Sequence, residues 1–151
     1  MVIRHFARLG LAALVLLLVA CSSTGSVTKT DVTVPQTVKA PVNVHPEVAP
    51  YLPEFVDALK SAGFIVGTTD NPDALELKLE FNGNPFNIRV SASLWQRGVP
   101  LLSASATNPG WGTALARGIA VNGRAESALE SFRNQLAEFS THIRIVPDVS
   151  R

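Results

Sequence analysis

Few residues in this chain have both the type and the spacing for chemistry. Cys21 is the only cysteine in 151 residues, and it directly follows the apolar run Leu9 to Ala20. With no second cysteine there is no disulfide, and the setting gives no support for thiolate catalysis or cysteine metal ligation. Of the three histidines, His5 lies ahead of Cys21, and His45 and His142 lack a partner at zinc-ligand spacing. Ser26-Val27-Thr28-Lys29 fits S-x-x-K, yet the companion motifs of penicillin-binding enzymes are missing, so it reads as a chance match. Asp57, Asp73 and Glu76 form no recognisable acid–base pair. The expectation is a protein with no catalytic residue, no metal and no cofactor.

Two tryptophan-centred stretches are the candidate binding chemistry. Asn108-Pro109-Gly110-Trp111-Gly112-Thr113 sets an aromatic ring between glycines just ahead of a helical pattern. Such a loop can present a platform beside free backbone N–H groups, suited to a sugar or an anion, with Arg117 one turn into the helix. The alternative is that Trp111 plugs the end of the core and Gly110 and Gly112 only turn the chain. Trp95 breaks an alternating pattern and points to the wet face beside Gln96-Arg97-Gly98, where it would anchor an interface, unless a bulge tucks it inward.

The amino-terminal residues are more specific. Met1 to Arg8 carry Arg4 and Arg8 and no acid, and about 12 apolar residues follow. A basic region, a short apolar region and small residues at its end make a secretory signal peptide. The run is shorter than the roughly 20 residues that span a bilayer. Leu18-Val19-Ala20-Cys21 resembles the lipobox of bacterial lipoproteins. That resemblance implies a diacylglyceryl thioether on Cys21, cleavage before it, and acylation of the new amino group. Ser22 rather than Asp follows the cysteine, which in enteric lipoproteins goes with the outer membrane, periplasmic face.

Residues 1–20 thus read as a signal peptide, and their removal leaves 131 residues, enough for one domain. The whole chain has 13 basic and 12 acidic residues; without Arg4 and Arg8 the balance is 11 to 12, a formal −1. Nothing there favours nucleic acid. Residues 21–50 are Ser-, Thr- and Pro-rich and read as a lipidated cysteine and flexible tether, although Val27 to Val34 is β-branched enough for an edge strand.

Residues 51–148 carry the periodic patterns of a single α+β domain. Leu52, Phe55, Val56, Leu59 and Ala62 fall on one helical face, with Pro53 in the first turn and Gly63 at the end. Phe64 to Thr68 is a short strand, and Asp70 to Asp73 a turn. Leu75, Leu77, Leu79 and Phe81 alternate with Glu76, Lys78 and Glu80, and Phe86 to Leu94 repeats the alternation. Gln96 to Gly98 turns into Val99 to Thr107, where Pro100 requires a sheet edge or a strand start. A helix from about Thr113 to Ser140, with Gly118 and Gly123 in its first half, and a strand at His142 to Val146 complete the order. One apolar stripe per helix and one apolar face per strand predict a two-layer sandwich: a mainly antiparallel sheet of four to six strands with two helices on one face.

The pattern Phe55-x3-Leu59-x3-Gly63-Phe64-x-Val66, followed by Asp73-Ala74-Leu75-Glu76-Leu77, loosely resembles small α+β domains of envelope lipoproteins. Examples are the amino-terminal domain of TolB and the periplasmic domain of the activator LpoB. The resemblance implies a non-enzymatic assembly factor and transfers no binding residue. The expected function is a lipid-anchored periplasmic accessory or interaction module, held to the membrane through Cys21 and binding another envelope protein. The alternative is a glycan- or peptidoglycan-binding module using Trp111.

Overall fold

The computed structural model describes residues 22–28, 31–84, 87–109 and 117–148. They form an α+β fold: a six-stranded mixed sheet, a two-stranded sheet and two α-helices. In chain order the elements are β1 (Ser22–Val27), β2 (Val32–Pro35), β3 (Thr37–Lys39), α1 (Leu52–Ser61), β4 (Ile65–Gly67), β5 (Leu75–Asn84), β6 (Asn87–Gln96), β7 (Val99–Pro109), α2 (Arg117–Ser140) and β8 (Ile143–Val146). The large sheet runs β1-β7-β6-β5-β3-β4, antiparallel from β1 to β5 and parallel from β5 to β4; β2 and β8 pair in parallel.

The long strands follow from their alternation. On β5 and β6, Leu75, Leu77, Leu79, Ile88, Val90, Ala92 and Leu94 are all buried, and Leu102, Ala104 and Ala106 continue the face on β7. α2 packs against β7, β6 and β1, presenting Ala125, Ala128, Leu129, Phe132, Leu136 and Phe139, all buried. Alanines on β6 and β7 let the helix approach the sheet closely. α1 packs beside β4 and α2, and Phe55 meets Phe132 edge to face at 5.4 Å between ring centroids. Gly123 remains inside α2, so the helix does not break at Asn122-Gly123. Pro100 sits at the start of β7, ahead of the residues that pair with β1, so its missing N–H interrupts no ladder on that side.

The region read as a tether is corrected by this structure. Residues 22–27 hydrogen-bond along β7 from Ser22↔Thr107 to Val27↔Leu102. Val34, Val38 and Val48 are fully buried in the same core as Phe55 and Leu75. The strand anticipated over Val27 to Val34 resolves into two, β1 ending at Val27 in the large sheet and β2 beginning at Val32 in the small one. The physical reason is that an edge strand needs little apolar content of its own. β1 supplies backbone hydrogen bonds, while Gly25 lets the side chain of Gln135 lie against it: a Cβ there would come within 2.6 Å of that side chain. The described fold therefore takes in β1, β2 and β3, all of them ahead of residue 51.

Candidate functional site

The helices cover one face of the large sheet, and among the described residues the other face is open. The register brings Glu76, Lys78, Glu80 and Asn82 of β5 beside Trp95, Ser93, Ser91 and Arg89 of β6. Ser91 and Ser93 lie beside Ser105 and Ser103 of β7, which in turn adjoin Thr24 and Ser26 of β1. Small hydroxyl side chains thus occupy the middle of the face across three strands, with charged and aromatic groups around them. A shallow hollow on this face measures ≈ 400 Å³ and includes Arg89, Ser91, Ser93, Trp95 and Ser103 in its lining.

The face is ordered by its own hydrogen bonds. Ser105, 4% exposed, shares a hydrogen bond with the Thr24 hydroxyl at 2.9 Å and accepts one from the Arg89 guanidinium at 3.4 Å. Trp95 donates its indole N–H to the Ser93 hydroxyl at 2.8 Å, and the Lys78 ammonium stands 4.2 Å from the ring centroid. The ladder shifts register between Leu94 and Trp95, but the shift leaves Trp95 half-buried on the open face rather than tucking it into the core. An indole held by a hydrogen bond and a cation loses little conformational freedom on contact with a partner, which suits an interface anchor.

Arg97 and Gly98 form the two-residue turn of the β6–β7 hairpin, with φ of 48° and 79°. Two successive positive φ values match the twist of a tight hairpin. Glycine adopts them freely; Arg97 is held there while its guanidinium donates to one carboxylate oxygen of Asp73 at 2.7 and 2.8 Å. Arg97 is therefore engaged in an exposed ion pair beside Trp95.

The anticipated site residues do not all converge. Trp95 and Arg97 share one end of the sheet. Asn108 pairs with Ile88 near the other end, seven residues along β6 from Trp95, or roughly 23 Å at strand rise. Gly110, Trp111 and Gly112 lie outside the described residues, as does Cys21, and the side chain of Arg117 is likewise outside them. Ser91-Ala92-Ser93 and Ser103-Ala104-Ser105-Ala106 carry a period-2 signal for the hydroxyl rows, but only the strand register joins them across the sheet. Among the described residues no group of three or more His, Cys, Asp or Glu could hold a metal, and no helix is long and apolar enough to cross a membrane.

No family model matches the chain, and no curated protein sequence matches it. Similar solved structures include two crystal forms of the PelC dodecamer from Paraburkholderia phytofirmans, one of them a point variant. The variant shares 12% identity at a TM-score of 0.41, covering 82% of this chain and 99% of that one. The other form has a TM-score of 0.36 at the same identity and coverage. A minor lipoprotein from Acinetobacter baumannii is 10% identical at a TM-score of 0.35, covering 70% of this chain and 91% of that one. At these values the overlap is loose, and it assigns neither a family nor an activity.

Proposed function

We propose that this chain is a lipid-anchored interaction module of the bacterial envelope, held at the periplasmic face of the outer membrane through Cys21 and binding another envelope protein across the open face of its sheet. The lipobox-like Leu18-Val19-Ala20-Cys21 supports the anchor. The observation that carries the interaction is the open face itself: hydroxyl rows flanked by a tryptophan that Ser93 and Lys78 already hold in place. Small side chains make such a surface flat and give it donors and acceptors at every second residue, so an opposing protein surface can approach closely. In this reading the module works by contact and carries out no reaction. A glycan partner is less well suited to Trp95, because an ammonium occupies space over the ring where a sugar would stack.

The test is a photo-crosslinking amino acid placed in cells at Ser91, in the middle of the open face, and at Lys60 on α1 as a control. The expected result is a discrete protein adduct from Ser91 that is absent from Lys60 and weakened by Trp95→Ala. An adduct that lysozyme digestion removes would transfer the function to glycan binding. Equal adducts from both positions would overturn the assignment of this face.

A further inference from the structure

We propose that the sheet stands on the membrane by the end that carries Asn82, Asn87 and Asn108, with the Arg97–Gly98 hairpin pointing away from the lipid. The proposal rests on the reading of Cys21 as the lipidated residue and adds to it an orientation. Cys21 is joined to Ser22 by one peptide bond, about 3.8 Å between Cα atoms. Ser22 is already paired with Thr107, and the pairing continues unbroken to Val27↔Leu102. A flexible tether of some 30 residues would let the domain roam about 30 Å from its anchor. Here the anchor is attached to a strand end, so the lipid and the sheet share a fixed starting point.

From that point the register defines which part of the molecule is near the bilayer. Ser22, Thr107, Arg89 and Asn82 form one row across four strands at the anchored end. Asn87↔Pro109 lies two residues further toward the same end. Among the described side chains of the row are the Arg89 guanidinium, the Asn82 amide and the Thr107 hydroxyl, with no carboxylate, which suits the phosphates of lipid headgroups. At the opposite end Glu76 pairs with Trp95, and Asp73 meets Arg97. From Asn87 to Gln96 the strand climbs about 30 Å. An upright sheet of this height keeps its open face perpendicular to the membrane and reachable from the periplasm along its whole length.

Because lipidation consumes the only native thiol, one introduced cysteine can be labelled selectively. The full lipidated chain, carrying Asn87→Cys or Val99→Cys with a fluorophore, is placed in phosphatidylethanolamine–phosphatidylglycerol vesicles containing a headgroup nitroxide lipid. Both positions are exposed, and Asn82→Cys and Glu76→Cys on β5 supply a second near–far pair. The expected result is several-fold stronger quenching at Asn87 and Asn82 than at Val99 and Glu76. Vesicle flotation is measured on the same samples. Flotation with equal quenching along the strands would overturn the orientation alone, since the sheet would then lie along the bilayer. Failure to float would overturn the lipid anchor and the orientation with it.

Discussion

Val38→Ala tests whether the segment between Cys21 and α1 is a working part of the fold. Val38 is fully buried, pairs with Leu75 and Val66, and belongs to the same cluster as Phe55 and Phe132. The substitution removes two methylene equivalents, worth about 0.8 kcal/mol each in burial, and leaves a small cavity. The expected loss is therefore about 2 kcal/mol, a large part of a typical total of about 5–15 kcal/mol. Val42, in the same segment but 82% exposed, is the internal control, and Val42→Ala should cost less than about 0.5 kcal/mol. Urea unfolding of a chain started at Ser22, without the acylated cysteine, followed by circular dichroism, measures both. Indistinguishable midpoints for the two variants would refute the placement of β3 in the core. Trimming the chain to Val44 removes β1, β2 and β3 together, and the remainder should show no cooperative transition.

Leu77→Asp should cost several kcal/mol, because Leu77 is 2% exposed beneath α2's side of the sheet and a carboxylate there has no partner; Lys78→Ala should cost only about 0.5–1 kcal/mol, the value of its contact with the Trp95 ring. Similar thermal shifts for the two would mean that both faces are covered. Gly98→Ala should destabilise by about 1 kcal/mol through backbone strain alone, since φ is +79° and the space around a new Cβ is empty; an unchanged melting temperature would contradict the hairpin geometry. Tyr51 is the only tyrosine, and its hydroxyl donates to the Asn122 side chain. Burial first, and then the charges of Glu126 and Glu54, raise its pKa above 10.0, so its absorbance midpoint should lie on the alkaline side of that value. A group raised in the folded state stabilises below its unfolded pKa, so this contribution should be lost as pH climbs past about 10.

The sequence was legible where apolar content follows a period. Leu75 to Phe81 alternate strictly, and the corresponding strand spans Leu75–Asn84. The stripe from Phe55 to Leu59 likewise appears as one buried face of α1. It was illegible where stability comes from the backbone. Ser22–Val27 has serine, threonine and glycine composition, and only its register along β7 reveals it as a strand. Val34 and Val38 are buried four residues apart, yet they belong to different sheets, so no single period links them. The open face was read correctly as solvated at Glu76, Lys78 and Glu80, but its serine rows emerge only when β6 and β7 lie side by side. For Trp95 the alternation left the wet face and an inward bulge both open; its half-buried place beside Ser93 and Lys78 required the three-dimensional register.

The group attached to Cys21 decides whether the chain is anchored in a membrane. Cells expressing the full chain or its Cys21→Ala variant are grown with an alkyne-bearing palmitate analogue, and the purified proteins are compared for label and intact mass. The prediction is label on the natural chain alone, with a mass corresponding to cleavage before Cys21 and added acyl chains, and an unlabelled, uncleaved variant. Equal label on both, or an unlabelled natural chain, would contradict the lipid anchor.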